Sequence, residues 1–266
     1  MARRTKQPKP TIDGVISKIE RADFHFQEFQ QECAAHESAY SFVGKVAANK
    51  VDHVYFPNHI PPLSDRLALT LGDCVHNLRC ALDHIAYLMV KSPNRQTQFP
   101  ILERRPYRRS WCGRRHPATL HVSGGLTTAA LTAIEAVQPY NGSDDGKRLL
   151  RIHELDVIDK HRHLFFTASS MHSYTTADFP DSPDARPPII DMWNAFGQRL
   201  EHGKAVLRHT YAEKNVELDP HLQIQPQIIL GENSGSIGTL PPRWVIGTMP
   251  YWLRYEFLPR FQPFFR

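Results

Sequence analysis

One predicted helix holds a run of polar residues whose side chains suit acid–base chemistry. Residues 71–88 read LGDCVHNLRCALDHIAYL, with polar side chains on the side that the leucines leave free. The polar set is Asp73, His76, Asn77, Cys80, Asp83, His84 and Tyr87, with Arg79 at its edge. Imidazoles transfer protons near neutral pH, and a guanidinium stabilises an anion. The pattern indicates proton transfer beside an anion, or else a polar face that packs through satisfied hydrogen bonds.

Arg79 and His84 enclose four residues, and this R-x4-H string resembles the signature of the HEPN-superfamily ribonucleases. Those proteins are helical bundles of toxin–antitoxin, phage-defence and RNA-processing systems, but they usually carry Asn, Asp or His where this chain has Cys80. The resemblance implies an endoribonuclease that cuts RNA by attack of its own 2′-OH and leaves a 2′,3′-cyclic phosphate, with no metal and no other cofactor. The candidate catalytic residues are Arg79, His84, Asp83, Asn77 and His76.

The spacing of Arg79 and His84 limits how they can act together. Five residues at 100° each place the two side chains about 140° apart on a regular helix. Either the long arginine wraps around the helix, or two copies of the helix meet across a homodimer axis. Gly72 permits close approach of another helix, which is compatible with the dimer. Asp83 or Asp73 could orient a histidine and fix its tautomer.

A second resemblance involves more of the chain. The phrase HNLRCALDH is followed by FPI (99–101), QPY (138–140) and DKHR (159–162). Together these strings resemble a group of uncharacterised bacterial proteins, and the resemblance implies no activity.

A second cluster of titratable residues lies in RIHELDVIDKHRHL (151–164). Mixtures of histidine and carboxylate can bind zinc or manganese, and a metal-dependent hydrolase is one alternative for residues 153–163. Basic residues at the end of a helix also stabilise its dipole. A third alternative is that Asp159, Lys160 or His161 lines the same cleft as His84.

An arginine-rich loop is predicted at residues 102–121. Arginines bind phosphates, and aromatic rings stack on unpaired bases, so the composition suits single-stranded RNA. The same residues could equally form a solvated loop. The candidate RNA-binding residues are Arg104, Arg105, Arg108, Arg109, Trp111, Arg114 and Arg115.

Hydrophobic periodicity predicts the elements that position these residues. Apolar stripes predict long helices over 13–40 and 65–91, and shorter helices over 126–138 and 147–162. A hairpin is predicted in 41–57, and strands in the C-terminal third. The predicted fold is mainly helical α+β, an antiparallel helix bundle with a small antiparallel sheet. The predicted domains are a disordered basic tail (1–10), the bundle (11–170) and a strand-containing part packed on it (171–266), or one domain over 11–266.

Composition narrows the class of protein. The 266 residues carry a formal charge of +5, which permits an anionic partner such as RNA. The four cysteines form no CxxC pair, and no signal peptide or membrane-spanning run is evident, so a cytoplasmic protein without membrane contact is expected. The sequence favours the endoribonuclease, with RNA, a second copy and an unknown antitoxin or regulator as partners. The alternative is a non-catalytic HEPN-like binding or scaffold protein.

Overall fold

The computed structural model describes residues 10–105, 125–161, 166–175, 189–192, 200–218, 222–231 and 240–266. They fall into two compact units, each built from separate stretches of the chain. The first unit comprises Met1–Glu28, Leu69–His163 and Trp244–Arg266, and the second comprises Phe29–Ala68 and Leu164–Arg243. The candidate catalytic residues all belong to the first unit.

Two long helices follow the predicted apolar stripes. Helix α1 spans Ile12–Glu37 and helix α2 spans Asp65–Met89, close to the predicted ranges. In the first unit α1 buries Val15, Ile19, Ala22 and Phe26, which recur at helical spacing. Helix α2 buries more of its circumference, because Ala81, Ala86 and several polar residues are covered as well as most of its leucines.

Helix α3 (Thr128–Ala136) is followed by a 3-10 turn (Pro139–Asn141) and by helix α4 (Asp144–His161). Helix α4 begins three residues before its predicted start. The Ser143 hydroxyl accepts a hydrogen bond from the Gly146 amide at 3.1 Å, which caps the added turn.

Helices α1 and α4 both run antiparallel to α2 in the first unit. On one side of α2, His84 lies beside Gly14 and Asn77 beside Lys18, so the residue numbers run in opposite directions. On another side Gly72 lies against Asp159, and His76 faces Asp156. Helix α2 is therefore the central helix of an antiparallel bundle.

The C-terminal residues close the first unit with short helical segments. These are α5 (Pro242–Ile246, whose first two residues belong to the second unit), α6 (Met249–Trp252), a π-helical turn (Leu253–Phe257), α7 (Leu258–Phe261) and a final 3-10 turn (Gln262–Phe264). Phe257 and Phe261 each place their ring centroid 5.6 Å from that of Phe99. The Trp252 indole donates to Asp145 Oδ1 at 2.8 Å, which satisfies its buried N–H.

The second unit contains the strands. Strands β1 (Ser41–Val46), β2 (Asp52–His59), β4 (Ile189–Met192) and β5 (Leu207–Thr210) form an antiparallel sheet in the order β1-β2-β5-β4. Strands β3 (Phe166–Thr175) and β6 (Gln223–Leu230) form a separate antiparallel pair. A core cluster of this unit contains Tyr40, Tyr55, Leu200, Val206, Leu207 and Ile224.

The predicted fold class is confirmed: the chain is mainly helical α+β with a small antiparallel sheet. The compact units divide the chain differently from the boundary that the sequence places at residue 170. Because β2 pairs with β5, the hairpin before α2 groups with strands that lie far later in the chain. Among the helices that the structure describes, none has the length and apolar character needed to cross a membrane.

Candidate functional site: the polar faces of the central helix

Arg79 is buried rather than placed at the edge of an open face. Only 6% of the residue is exposed, and its Nη2 donates to the Phe99 carbonyl at 2.9 Å and lies 3.0 Å from Asp83 Oδ1. The same Asp83 oxygen accepts a hydrogen bond from the Phe99 amide at 2.9 Å. Arg79 and Asp83 therefore bind the carbonyl and the amide of Phe99 and hold that residue against the side of α2.

Gln138 fixes the residues that follow Phe99. It is fully buried, and its Nε2 donates to the carbonyls of Pro100 at 2.9 Å and Ile134 at 3.0 Å. Its Oε1 accepts from the Leu102 amide at 3.0 Å. The strings HNLRCALDH, FPI and QPY thus meet in one hydrogen-bond network, whose evident role is to hold residues 99–102 in place.

The pKa of the Asp83 carboxyl reflects the burial of this network. Burial raises the pKa of the Asp83 carboxyl above its ordinary value, and nearby Asp156 adds to the rise. The Arg79 guanidinium and the Phe99 amide oppose that rise without cancelling it. Asp83 is thus committed to Arg79 and Phe99, and the expectation that it orients a histidine is not met among the described contacts.

His84 lies on a different side of α2, against the start of α1. It is partly buried, and its Nδ1 lies 3.9 Å from the position that a Cβ on Gly14 would occupy. Burial lowers the pKa of His84, and the positive charge of Lys18 lowers it further. Nδ1 is buried with no hydrogen-bond partner in the part of the chain that the structure describes. The lowered pKa means that the neutral form of His84 predominates at neutral pH.

Arg79 and His84 do not converge within one chain. Arg79 points to residues 99 and 83, whereas His84 points to α1, as the angle of about 140° between them requires. The wrapped arrangement of Arg79 is excluded, because its guanidinium is already bound to Phe99 and Asp83. Asn77 is also buried, contrary to its expected place on the open face: it accepts from Lys18 Nζ at 3.3 Å and donates to the Asp73 carbonyl at 2.8 Å.

After its first five residues, which include the exposed Asp65, Arg66 and Leu69, α2 remains accessible only along a narrow stripe. Its members recur at three- and four-residue spacing and are exposed or partly exposed: Asp73, His76, Cys80, Asp83, His84, Tyr87 and Leu88. Helix α1 contributes Lys18 to one side of this stripe, and helix α4 contributes Asp156 and Lys160 to another. We refer to it below as the α2 stripe.

His76 is the most accessible imidazole of the α2 stripe, with 48% of its side chain exposed. Its Nδ1 lies 3.6 Å from Asp156 Oδ1, and its Nε2 lies 3.4 Å from Cys80 Sγ. Asp156, rather than Asp73 or Asp83, is therefore the carboxylate that faces a ring nitrogen of His76. The signal that could have identified this set is the four-residue spacing of His76–Cys80 on α2 and of Asp156–Lys160 on α4.

The second predicted cluster is divided by the structure. Lys160 donates to Asp156 Oδ2 at 2.7 Å and so belongs beside His76. Asp159 instead packs against Gly72, and burial, with Asp156 and Asp73 nearby, raises its pKa. Gly72 lies 12 residues, or about 18 Å of helix, from His84, so Asp159 does not line a cleft with His84. The side chain of His161 lies outside the described part of the chain.

Gly72 has a role within the chain. A Cβ at this position would lie 2.8 Å from Asp159 Cγ, which is too close, so the glycine allows α4 to approach α2. The close approach that the glycine predicts is therefore found between two helices of one chain.

The predicted RNA-binding arginines are only partly described. Arg104 and Arg105 are exposed, and Arg105 Nη2 pairs with Glu135 Oε1 at 3.0 Å. The other members of that set lie outside the described residues: Arg108, Arg109, Trp111, Arg114 and Arg115. Within the described ranges, no group of three or more His, Cys, Asp or Glu side chains is placed to hold a metal ion, so residues 153–163 give a metal-dependent hydrolase no support there.

Comparisons with known proteins found no matching family model, no matching curated protein and no matching solved structure. The function is therefore inferred from the geometry and chemistry of the α2 stripe itself.

Proposed function

We propose that the protein is a metal-independent, HEPN-like endoribonuclease whose reaction takes place at the α2 stripe. The observation that carries the proposal is the place of His84 beside α1, as a partly accessible imidazole whose pKa is lowered by burial and by Lys18. A neutral imidazole beside an ammonium group is the pair needed to take a proton from a hydroxyl next to a phosphate.

The chemistry follows from what RNA supplies. His84 accepts the proton of the ribose 2′-OH, the 2′-oxygen attacks the adjacent phosphorus, and the bond to the 5′-oxygen breaks. Lys18 stabilises the negative charge that develops on the phosphate oxygens. The leaving 5′-oxygen takes a proton from a protonated imidazole, and the product is a 2′,3′-cyclic phosphate.

The proton donor in this scheme comes from a second copy of the chain. His76 is eight residues from His84, about 12 Å along the helix, which is too far for both to act on one phosphate. A homodimer that pairs two α2 stripes would bring the His84 of the second copy to the leaving oxygen, and the minor protonated fraction of that imidazole would donate the proton. Arg79 holds residues 99–102 in this scheme and is a positioning residue. RNA binding by the arginines of 102–121, a cytoplasmic toxin or phage-defence role and an antitoxin or regulator remain parts of the proposal.

The test is RNA cleavage in excess EDTA. We expect fragments ending in 2′,3′-cyclic phosphate, and we expect His84→Ala to abolish them while far-UV circular dichroism and the melting temperature stay close to those of the wild type. His202→Ala, at an exposed histidine of the second unit, is the matched control and should retain cleavage.

A second function, a non-catalytic HEPN-like binding or scaffold protein, is favoured by the burial of Arg79 in the Phe99 network. RNA left intact by the wild-type protein at every pH between 5 and 9 (a range spanning the ordinary pKa of histidine) would support this second function.

A further inference from the structure

Three side chains of the first unit lie in a line that the RNA reaction does not use. Cys80 Sγ lies 3.4 Å from His76 Nε2, and His76 Nδ1 lies 3.6 Å from Asp156 Oδ1. The four-residue spacing on α2 stacks the thiol above the imidazole, and the antiparallel approach of α4 brings the carboxylate to the other ring nitrogen. The order of groups is thiol, imidazole, carboxylate.

The position and hydrogen bonding of Asp156 suit it to orienting an imidazole. Only 5% of its side chain is exposed, and its Oδ2 accepts a hydrogen bond from Lys160. Its Oδ1 is buried with no hydrogen-bond partner among the described residues, and it faces His76. A proton on His76 Nδ1 would meet this carboxylate oxygen, which leaves Nε2 as the acceptor that faces Cys80.

Cys80 is a partly exposed thiol that needs a base. Burial raises its pKa, the carboxylates of Asp83 and Asp156 raise it further, and the ammonium groups of Lys18 and Lys160 oppose the rise. At neutral pH the thiol is therefore protonated, and it becomes a nucleophile only if its proton moves to a neighbouring group. His76 Nε2 is the nearest such acceptor.

We propose that Cys80 is a nucleophile for activated acyl compounds, with His76 as its general base and Asp156 as the positioning residue for His76. Sγ attacks the carbonyl carbon of an ester or thioester while its proton passes to His76 Nε2. The bond from that carbon to the leaving oxygen or sulfur then breaks, and the leaving group takes the proton from His76. The acyl group remains on Cys80 as a thioester, until water or an amine attacks it and regenerates the thiol. This activity is independent of the RNA reaction.

The probe is p-nitrophenyl acetate, added to the full-length Cys112→Ser protein. We expect a burst of one nitrophenolate per chain and one acetyl group, located by peptide mass spectrometry on Cys80. Cys80→Ser should abolish the burst. Cys33→Ser should retain it, because burial raises the pKa of the Cys33 thiol to about 12 and makes that thiol unreactive.

The role of His76 is tested by His76→Gln and His76→Asn. Both replace a half-exposed side chain, so the fold should survive, as the melting temperature will show. We expect each variant to slow acylation at pH 7 about a hundredfold and to move the pH–rate profile to the alkaline range of the unassisted thiol. Asp156→Asn should slow acylation less and leave the site of acylation unchanged.

Three results would overturn the proposal: no burst, a burst carried by Cys33 or Cys74, or an unchanged rate and pH profile in both His76 variants. None of these measurements uses RNA, so failure of the acylation proposal is separable from failure of the endoribonuclease proposal.

Discussion

Replacing Arg79 by methionine tests whether this arginine is part of the structure or part of the reaction. Methionine keeps a long side chain but removes the groups that bind the Phe99 carbonyl at 2.9 Å and Asp83 at 3.0 Å. A buried carbonyl left without a donor costs about 1–3 kcal/mol. Breaking a buried ion pair costs about 3–5 kcal/mol, and less here because 28% of the Asp83 side chain is exposed and the Phe99 amide still binds it.

We therefore expect Arg79→Met to lower the free energy of unfolding by about 3 kcal/mol, measured by urea denaturation followed by far-UV circular dichroism. Asp83→Asn is the companion variant, because an amide oxygen can still accept from Phe99 while the buried charge is gone. The double variant should be more stable than the sum of the two single changes predicts, with a coupling of about 1–2 kcal/mol.

A small effect of Arg79→Met on stability would refute this reasoning. If Arg79→Met changes the free energy of unfolding by less than about 0.5 kcal/mol, within the range of ordinary surface substitutions, the guanidinium does not fix residues 99–102. A stable Arg79→Met variant that loses RNA cleavage would indicate that Arg79 acts directly on the phosphate. Its assignment as a positioning residue for residues 99–102 would then be wrong.

Three further changes probe the same bundle. Gly72→Ala should lower the free energy of unfolding by about 1 kcal/mol, since a clash of about 2 kcal/mol with Asp159 outweighs a helix-propensity gain of about 1 kcal/mol. In an Asp159→Ala background the clash is absent, so the same change should stabilise the protein. Destabilisation in that background would contradict the reasoning. Lys18→Met removes a charge that lowers the pKa of His84, so the acidic limb of the pH profile for RNA cleavage should move to higher pH, and an unmoved limb would count against His84 as the base. Gln138→Leu leaves three backbone groups unpaired in the core and should lower the free energy of unfolding by at least about 3 kcal/mol in urea denaturation; a variant as stable as the wild type would show that the network is dispensable.

The main helices could be predicted from the sequence because their apolar residues repeat at helical spacing. That period depends only on the chain, and it located α1 and α2 to within three residues of their observed ends. The β1–β2 hairpin was likewise predictable, from its β-branched and aromatic residues around Asn49, whose side chain accepts from the amides of Val51 and Asp52 at the turn.

The distribution of polar residues on α2 could not be predicted in the same way. Helical periodicity says which side chains share a face, but not which other segment covers that face. Arg79 is buried because residues 99–102 cross it, and Asn77 is buried because α1 brings Lys18 to it. The partner of His76 comes from α4, about 80 residues later in the chain. Each of these contacts is tertiary: four-residue spacing marks the pairs within one helix, but it does not show which segments of the chain meet.

The covering of α2 also decides which substitutions can reveal function. Arg79, Asp83 and Gln138 bind backbone groups of residues 99–102, so a variant at any of them changes stability together with anything that depends on the bundle. Losing RNA cleavage through such a variant would therefore not identify a catalytic group. His76 and His84 are partly exposed, and no described backbone group depends on their side chains, so substitution there can change chemistry at constant fold. At these two imidazoles, one measurement of activity can distinguish an enzyme from a scaffold.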